Sequence, residues 1–358
     1  MLPRAAPNFK RRVTMRKTKV LVTACSFTLI IGLAVLFSLT PQQALAEKPI
    51  ELSFALHIPS KAAPYPNAFL PWAQEIEKRT DGRLKIKFYL SQTLVKARDS
   101  YDGVVNGIAD ISWGSQSWTG GRFPLSSVMG LPFLSPDTFV GAHALNDLYK
   151  KFPEIQKEYE DVHLLFLWVT LPYEIHTVKK PVRTIADMQG LKMATQPAAK
   201  TALEGLKAVP VTMPTPKIYQ TVEKGVADGS ALAWGAYKAW KLVEVTKYHT
   251  NVHLGGVPFW TAMNKNTWAK LPKDIQATIT AVTAEMMPDK LCGAVTNEMK
   301  QAIEITNKRG QEIINISAAE RAKWAATGKP AWDKWVKTME AKGLPGRAVL
   351  DEAIKLVK

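Results

Sequence analysis

Four tryptophans stand near predicted strand ends, where a binding protein places groups that hold a small molecule. Trp113 and Trp234 are each followed by a glycine, and Trp118 and Trp260 lie close to other predicted strands. Tryptophan offers a large apolar face together with one N–H donor. The pattern therefore predicts a pocket for a solute with an apolar or aromatic portion, with ordinary core packing as the alternative for any single member.

The sequence contains histidines, serines and cysteines, which many enzymes use in catalysis, but these residues do not have the spacing of a known catalytic or metal-binding motif. His249 and His253 stand four apart, as two zinc ligands on one helical face would, but residues 250–254 read as a strand. The sequence contains neither a serine elbow nor a glycine-rich phosphate loop. Cys292 falls among apolar neighbours in a predicted helix, where a thiol is inert. We therefore expect no enzyme activity, no metal and no cofactor.

The elements that would position these residues alternate between strand and helix. Alternating apolar positions or short apolar runs predict strands at 50–55, 84–89, 109–113, 163–169, 191–195, 209–213 and 230–233. Apolar residues at helical spacing predict helices at 67–80, up to Gly107, at 202–207, at 217–224 and through most of 272–314. Pro288 should kink or split the last of these. Such alternation is typical of an α/β fold.

One short pattern occurs twice. Tyr101-x-x-Val104-x-x-Gly107-Ile108-Ala109-Asp110 matches Tyr219-x-x-Val222-x-x-Gly225-Val226-Ala227-Asp228. Each copy fits a helix, a glycine that ends it, and entry into a strand. The repetition favours two lobes of related construction, with Trp113 and Trp234 facing one cleft and the two aspartates in structural roles.

Residues 1–46 have the order of a secretory signal peptide. Seven basic residues and no acidic one precede an apolar run at 20–39, and Ala44-Leu45-Ala46 resembles a cleavage site. A permanent membrane anchor is the alternative. The remaining 312 residues are long enough for two lobes, and we expect them to be soluble in the periplasm.

The net charge of the exported part is moderate. Seven of the 47 lysines and arginines, and none of the 31 acidic residues, precede residue 47, so residues 47–358 carry a formal charge of +9. The excess is spread along the chain without a dense basic run, which disfavours nucleic-acid binding. A mild positive field suits an anionic solute.

Five segments, in their order and spacing over about residues 50–310, resemble the substrate-binding proteins of TRAP (tripartite ATP-independent periplasmic) transporters, a family similar to dicarboxylate-binding proteins. They are WAQEIEKRTDGR at 72–83, GIADI at 107–111, KPVRTIADMQGLK at 180–192, GVADG at 225–229, and MNK at 263–265 with Leu271-Pro272 following.

The resemblance implies a periplasmic binding protein fold of type II. Two α/β lobes, at 47–170 plus 259–298 and at 171–258 plus 299–358, would be joined by hinge strands and spanned by one long helix. The protein would bind a small organic anion, a carboxylate in many members, and deliver it to TRAP membrane permease subunits without ATP.

Two departures from the family pattern bear on the solute. The family's carboxylate-clamping arginine would stand two residues after Lys192, where this chain has Ala194. The stretch Ser230-Ala231-Leu232-Ala233-Trp234 also lacks the polar residues that are usual after the second Asp-Gly. A planar guanidinium is hard to replace, which puts a simple dicarboxylate in doubt. Arg122, in a Gly-Gly-Arg turn, is a candidate substitute clamp, with a structurally paired arginine as its alternative.

Further candidate ligand contacts follow from position. They are His57 after the first strand, Tyr65 near it, Tyr173 and Glu174 before the first crossover strand, and Thr195 and Gln196 after Ala194. A structural or surface role is the alternative for His57 and Glu174.

Two other functions compete with transport. The chain can be the sensor module of a membrane histidine kinase, which neighbouring genes would reveal. A periplasmic hydrolase would require a nucleophile and a base together in the cleft. The sequence leaves open which organic acid is bound.

Overall fold

A computed structural model describes residues 48–358 of the chain. The predicted signal peptide lies outside these residues. The strands are β1 Ile50–Ala55, β2 Leu84–Tyr89, β3 Ile111–Ser115, β4 Val162–Val169, β5 Glu174–Thr177, β6 Lys192–Thr195, β7 Val209–Thr212, β8 Gly229–Leu232, β9 Tyr248–Asn251, β10 Pro258–Asn264 and β11 Glu312–Asn315.

Helices connect these strands, together with short 3₁₀ turns. The α-helices are α1 Leu70–Arg79, α2 Ser100–Val105, α3 Thr138–Lys151, α4 Pro153–Lys157, α5 Lys200–Gly205, α6 Ile218–Glu223, α7 Trp234–Ala239, α8 Lys265–Lys270, α9 Lys273–Met286, α10 Asp289–Lys308, α11 Ala318–Ala326, α12 Lys329–Glu340 and α13 Gly346–Leu356. Among the described residues, no helix combines the length and the apolar character needed to cross a membrane.

The strands form two separate sheets. The first has the order β2-β1-β3-β10-β4, with β10 antiparallel to both of its neighbours. The second has the order β11-β9-β5-β8-β6-β7, with β5 antiparallel to both of its neighbours. The remaining pairs are parallel. The alternation of strands and helices predicted this mixed α/β architecture, and its two sheets are those of the type II periplasmic binding fold that the family resemblance implied.

Local sequence explains the opening strand–helix–strand unit. Leu52 and Phe54 of β1 are buried, and α1 turns Trp72 and Ile76 onto the same core. The Phe54 and Trp72 rings meet edge to face with centroids 6.2 Å apart. The helix ends where Asp81 and Gly82 adopt positive φ, a conformation that aspartate tolerates and glycine favours.

The two copies of the repeated pattern have the same structural role: each ends a helix and holds a neighbouring strand in place. Gly107 and Gly225 have φ of +72° and +69° and end α2 and α6. The Asp110 carboxylate accepts hydrogen bonds from the Ser53 backbone N–H (2.8 Å) and the Ser53 hydroxyl (2.7 Å) on β1. The Asp228 carboxylate accepts one from the Lys192 backbone N–H (2.8 Å) on β6. Each aspartate therefore fixes a parallel strand beside its own.

Two chain segments cross between the sheets side by side. Residues 170–173 lead from β4 to β5, and residues 252–257 lead from β9 to β10. They exchange backbone hydrogen bonds, from Tyr173 N–H to Gly255 O (3.0 Å) and from Leu254 N–H to Tyr173 O (2.9 Å). The crossing is thus a short hydrogen-bonded ribbon, the hinge that the resemblance implied.

The long helix α10 contacts both halves. It packs on α7 beside the second sheet and on α3 and residues 65–69 beside the first. Pro288 separates it from α9, so the predicted helical stretch is split rather than merely kinked, and its last residues form β11.

The C-terminal helices pack in a way that differs from the predicted lobe boundaries. The sequence interpretation placed all of 299–358 in the second lobe. In the structure α13 packs on α3 of the first half, and Val349 and Leu350 share a buried cluster with Leu145 and Leu148. The physical reason is the apolar face of α13, which completes the core on the outer side of α3.

Candidate functional site

A cavity of about 110 Å³ lies between the two sheets. Residues from both halves and from α10 line it. They are His57, Ile58, Ala62, Pro64, Trp113, Trp168, Thr170, Leu171, Tyr173, Gln196, Thr215, Leu232, Ala233, Gly235, Ala236, Ala239, Trp240, Phe259, Val295 and Glu298.

Aromatic side chains from the first sheet form one wall. Trp113 on β3, Trp168 on β4 and Phe259 on β10 lie within 5.0 to 5.7 Å of one another, centroid to centroid. The His57 ring stacks on Trp113 at 4.8 Å. Adjacent strands project these rings from the same face of the sheet, with ring planes tilted 35° to 57° to one another. The wall is therefore apolar but not flat, and it can contact the apolar portion of a solute.

Three buried polar atoms of the lining residues have no hydrogen-bond partner in the protein. They are the indole Nε1 of Trp113, the Nδ1 of His57 and the Oε1 of Gln196. The Gln196 Nε2 donates to the Thr215 hydroxyl at 2.6 Å, so only its carbonyl oxygen is unpaired. An unmade hydrogen bond in a buried site costs about 1–3 kcal/mol, which a bound solute with matching polar groups recovers.

The charge balance of the cavity is unusual for an anion site. Among the described residues that line it, none is arginine or lysine. Burial lowers the pKa of His57 to about 3, so its imidazole is neutral at pH 7. The Glu298 carboxyl is 4 % exposed, and burial raises its pKa to about 7.

Glu298 projects into the cavity from α10. The backbone N–H of Ala63 is its hydrogen-bond donor, at long distances of 3.3 and 3.4 Å to its two oxygens. A Cβ atom placed on Gly235 would lie 3.5 Å from Glu298 Oε2, an ordinary van der Waals contact, so the start of α7 packs closely on this carboxyl.

Among the predicted ligand contacts, His57, Trp113, Tyr173 and Gln196 line the cavity. Trp118 lies just behind this surface, edge to face with His57 at 4.6 Å. That these side chains touch a ligand stays a prediction.

The other predicted contacts are engaged elsewhere. Tyr65 packs on Phe88, with ring centroids 5.1 Å apart, and the Thr195 hydroxyl donates to Ala231 O. Trp234 is the first residue of α7 but does not line the cavity, and its indole N–H donates to Asn251 Oδ1 at 2.8 Å. Trp260 points to the opposite face of the first sheet and meets Tyr101 edge to face at 5.1 Å, because neighbours on a strand alternate in direction.

Arg122 and Glu174 are also committed to structure. Arg122 pairs with Asp161 at 2.7 Å and covers the Tyr101 ring at 4.4 Å, away from the cavity. The buried Glu174 carboxylate accepts from the backbone N–H groups of Val252 (2.6 Å) and His253 (2.8 Å) and contacts His253 Nδ1 at 2.5 Å. It therefore anchors the crossing segment. Ala194 is fully buried in β6.

The two histidines considered for zinc do not converge. His249 Nδ1 lies 2.8 Å from His176 Nδ1, whereas His253 contacts Glu174. Within residues 48–358, no group of three or more metal-binding side chains comes together.

Sequence reasoning missed several lining residues. Trp168 lies in the apolar run at 163–169, which predicts a buried strand and gives no sign of a ligand contact. Phe259 is next to Trp260, which the sequence analysis named as a ligand contact instead. Strand alternation carried a signal for Phe259, because only one of two adjacent residues can face the cleft. Nothing in the local sequence of α10 distinguishes Glu298 from a surface carboxylate.

Comparison with known proteins gives a consistent result. The family model of the bacterial extracellular solute-binding proteins, family 7, matches residues 55–338. The 2,3-diketo-L-gulonate-binding periplasmic protein of Escherichia coli strain K12 is 26 % identical over 73 % of this chain and 80 % of its own length.

Two solved structures extend the comparison. A marine metagenome TRAP solute-binding protein specific for aromatic acid ligands, in complex with 3-hydroxybenzoate, superposes with a TM-score of 0.81. It is 27 % identical and covers 87 % of this chain and 98 % of its own. A TRAP solute-binding protein from Rhodoferax ferrireducens T118, in complex with benzoate, also has a TM-score of 0.81 and 27 % identity, over 86 % of this chain and 97 % of its own.

Proposed function

This chain belongs to the bacterial extracellular solute-binding proteins of family 7, and from that membership we propose that it captures a small organic acid between its two sheets. The solute carries an aromatic or apolar portion. The loaded protein presents it to the permease subunits of a TRAP transporter in the cytoplasmic membrane. Residues 1–46 direct the chain to the periplasm and are then removed.

The observation that carries this proposal is the aromatic wall formed by Trp113, Trp168 and Phe259, with unpaired polar atoms beside it. Such a wall can bury the apolar ring of a solute against it, and the unpaired Trp113 N–H can donate to a carboxylate oxygen of that solute. The relatives whose ligands are aromatic acids, benzoate and 3-hydroxybenzoate among them, support the same solute class.

The role is binding rather than catalysis. Cys292, a possible nucleophile, is fully buried beside Thr138, and burial raises the pKa of its thiol to about 11. The described lining residues do not include a cysteine or serine beside a base. The relatives named above are likewise described by what they bind.

A thermal-shift screen tests the proposal. The purified protein is heated with aromatic monocarboxylates, aliphatic mono- and dicarboxylates, and sugar acids. An aromatic acid at a hundred times its Kd should stabilise the folded state by about 2.7 kcal/mol through mass action. If no organic acid at millimolar concentration raises the melting temperature, the proposal is wrong.

A further inference from the structure

Glu298 is the one acidic side chain among the described residues that line the cavity, and it is buried. Its side chain is 4 % exposed, and it shares the cavity with the neutral His57 and with Tyr173. Among the groups that face it, Lys238 on α7 is the positive charge acting on the carboxylate. The Lys238 Nζ is itself bonded to Gln301 Oε1. Glu298 thus has no full ion pair.

The hydrogen bonds of Glu298 are also incomplete. An ionised carboxylate accepts about four hydrogen bonds, whereas the Ala63 N–H supplies one donor shared between both oxygens. Gln196, 8 % exposed, adds a second unpaired acceptor, its Oε1, to the same cavity. The incompletely paired groups on α10 and just after β6 are therefore acceptors with too few donors.

We propose that Glu298 and Gln196 determine specificity by accepting hydrogen bonds from a hydroxyl or amino group of the solute, and that Glu298 excludes solutes with a second carboxylate. This subsite rests on the proposed function, because the acid group of the solute binds at the Trp113 indole N–H. An acceptor-lined apolar cavity stabilises a donor and repels a like charge.

Four probes that share one ring test the subsite: benzoate, 3-hydroxybenzoate, 3-aminobenzoate and benzene-1,3-dicarboxylate. Calorimetry at about pH 8.5, above the Glu298 pKa of about 7 so that the carboxyl is ionised, measures their Kd values for the wild-type protein. The hydroxy and amino acids should bind about tenfold or more tightly than benzoate, and the dicarboxylate at least about tenfold more weakly.

Glu298→Gln replaces the charge by an amide that can donate as well as accept. It should reduce the preference for the hydroxy acid and improve dicarboxylate binding, relative to benzoate, by about tenfold or more. Glu298→Asp is the second variant. Aspartate keeps the negative charge, but its side chain is one methylene shorter, so the carboxylate lies farther from the solute. This variant should still exclude the dicarboxylate, but it should no longer prefer 3-hydroxybenzoate to benzoate.

Glu158→Gln is the matched control. Glu158 is partly buried, accepts from backbone N–H groups at Leu125 and Ser126, and has its pKa raised to about 7 by burial, but it does not line the cavity. Its replacement should leave the ranking of the four probes unchanged.

Two results overturn the subsite and are distinguishable. If benzoate binds but all variants rank the probes as the wild type does, the specificity role is wrong while the solute-binding function stands. If none of the four probes binds the wild-type protein, the proposal that it binds aromatic acids is wrong, and so is the proposed subsite.

Discussion

At the scale of single residues, Trp113 combines two contributions to binding that can be separated. Its ring forms part of the aromatic wall, and its Nε1 has no partner within the protein. Trp113→Phe keeps an aromatic ring and removes the donor. We expect affinity for an aromatic acid to fall about tenfold or more, because a hydrogen bond to a charged carboxylate contributes about 1.5–3 kcal/mol.

Trp260→Phe is the control for that prediction. The Trp260 Nε1 is also unpaired and the residue is equally buried, but its ring packs on Tyr101 on the other face of the sheet. Its replacement should leave the Kd, measured by calorimetry, unchanged. Equal losses in both variants would show that the donor effect is not local to the cavity.

At the scale of elements, the two copies of the repeated pattern are not equally important. Asp110 receives hydrogen bonds from the Ser53 N–H, the Ser53 hydroxyl and the Thr267 hydroxyl (2.9 Å), whereas the exposed Asp228 receives one from the Lys192 N–H. Asp110→Ala should lower the free energy of unfolding by about 2 kcal/mol, and Asp228→Ala by less than about 1 kcal/mol.

Urea unfolding followed by circular dichroism measures both losses. Asp110 links β1, β3 and α8, so its removal loosens three elements, while Asp228 links only two strands. A larger loss for Asp228→Ala would contradict this ranking and would indicate that the second lobe depends more on its strand contacts.

The sequence predicted these elements well because their signals are local. Alternation located β1 and β2 to the residue, helical spacing located α1, and the repeated Gly-x-Ala-Asp pattern located two helix ends and two strand starts. The packing of α13 on α3 was not predictable. The apolar face of a helix predicts that this face is buried, but it does not identify the element that covers it.

The candidate site was harder to predict than the elements. Single tryptophans look alike in sequence whether they face a cleft, as Trp113 does, or a core, as Trp234 and Trp260 do. Arg122 and Glu174 were chosen for their charge, yet partners distant in sequence, Asp161 and the 252–253 backbone, take up that charge. Such long-range pairing leaves no local signal.

At the scale of the whole molecule, buried histidines should make folding sensitive to acid. Burial lowers the pKa of His57 to about 3 and of His163 and His249 to about 4, and holds His176 well below its ordinary 6.5. These groups take up protons below pH 6.5 in the unfolded chain before they do so in the folded one. The stability they provide is full above pH 6.5 and is lost as the pH falls.

Glu158 and Glu298 act in the opposite direction. Their folded pKa of about 7 exceeds the ordinary 4.5, so they stabilise the folded state in acid and cease to do so as the pH rises through 7. Because these four histidines outnumber the two glutamates, stability should fall as the pH drops from about 6.5 to about 5. Urea titrations at pH 7, 6 and 5 measure it; stability that rises toward pH 5 would contradict it.

The long helix α10 carries the only cysteine beyond residue 46, and this gives the fold a built-in chemical reporter. The Cys292 sulfur lies 3.4 Å from the Thr138 carbonyl oxygen, sealed between α10 and α3. A thiol reagent can modify it only when those two helices separate. The rate at which a thiol reagent labels Cys292 therefore reports how often this interface opens in the native protein. No cysteine has to be introduced for the measurement.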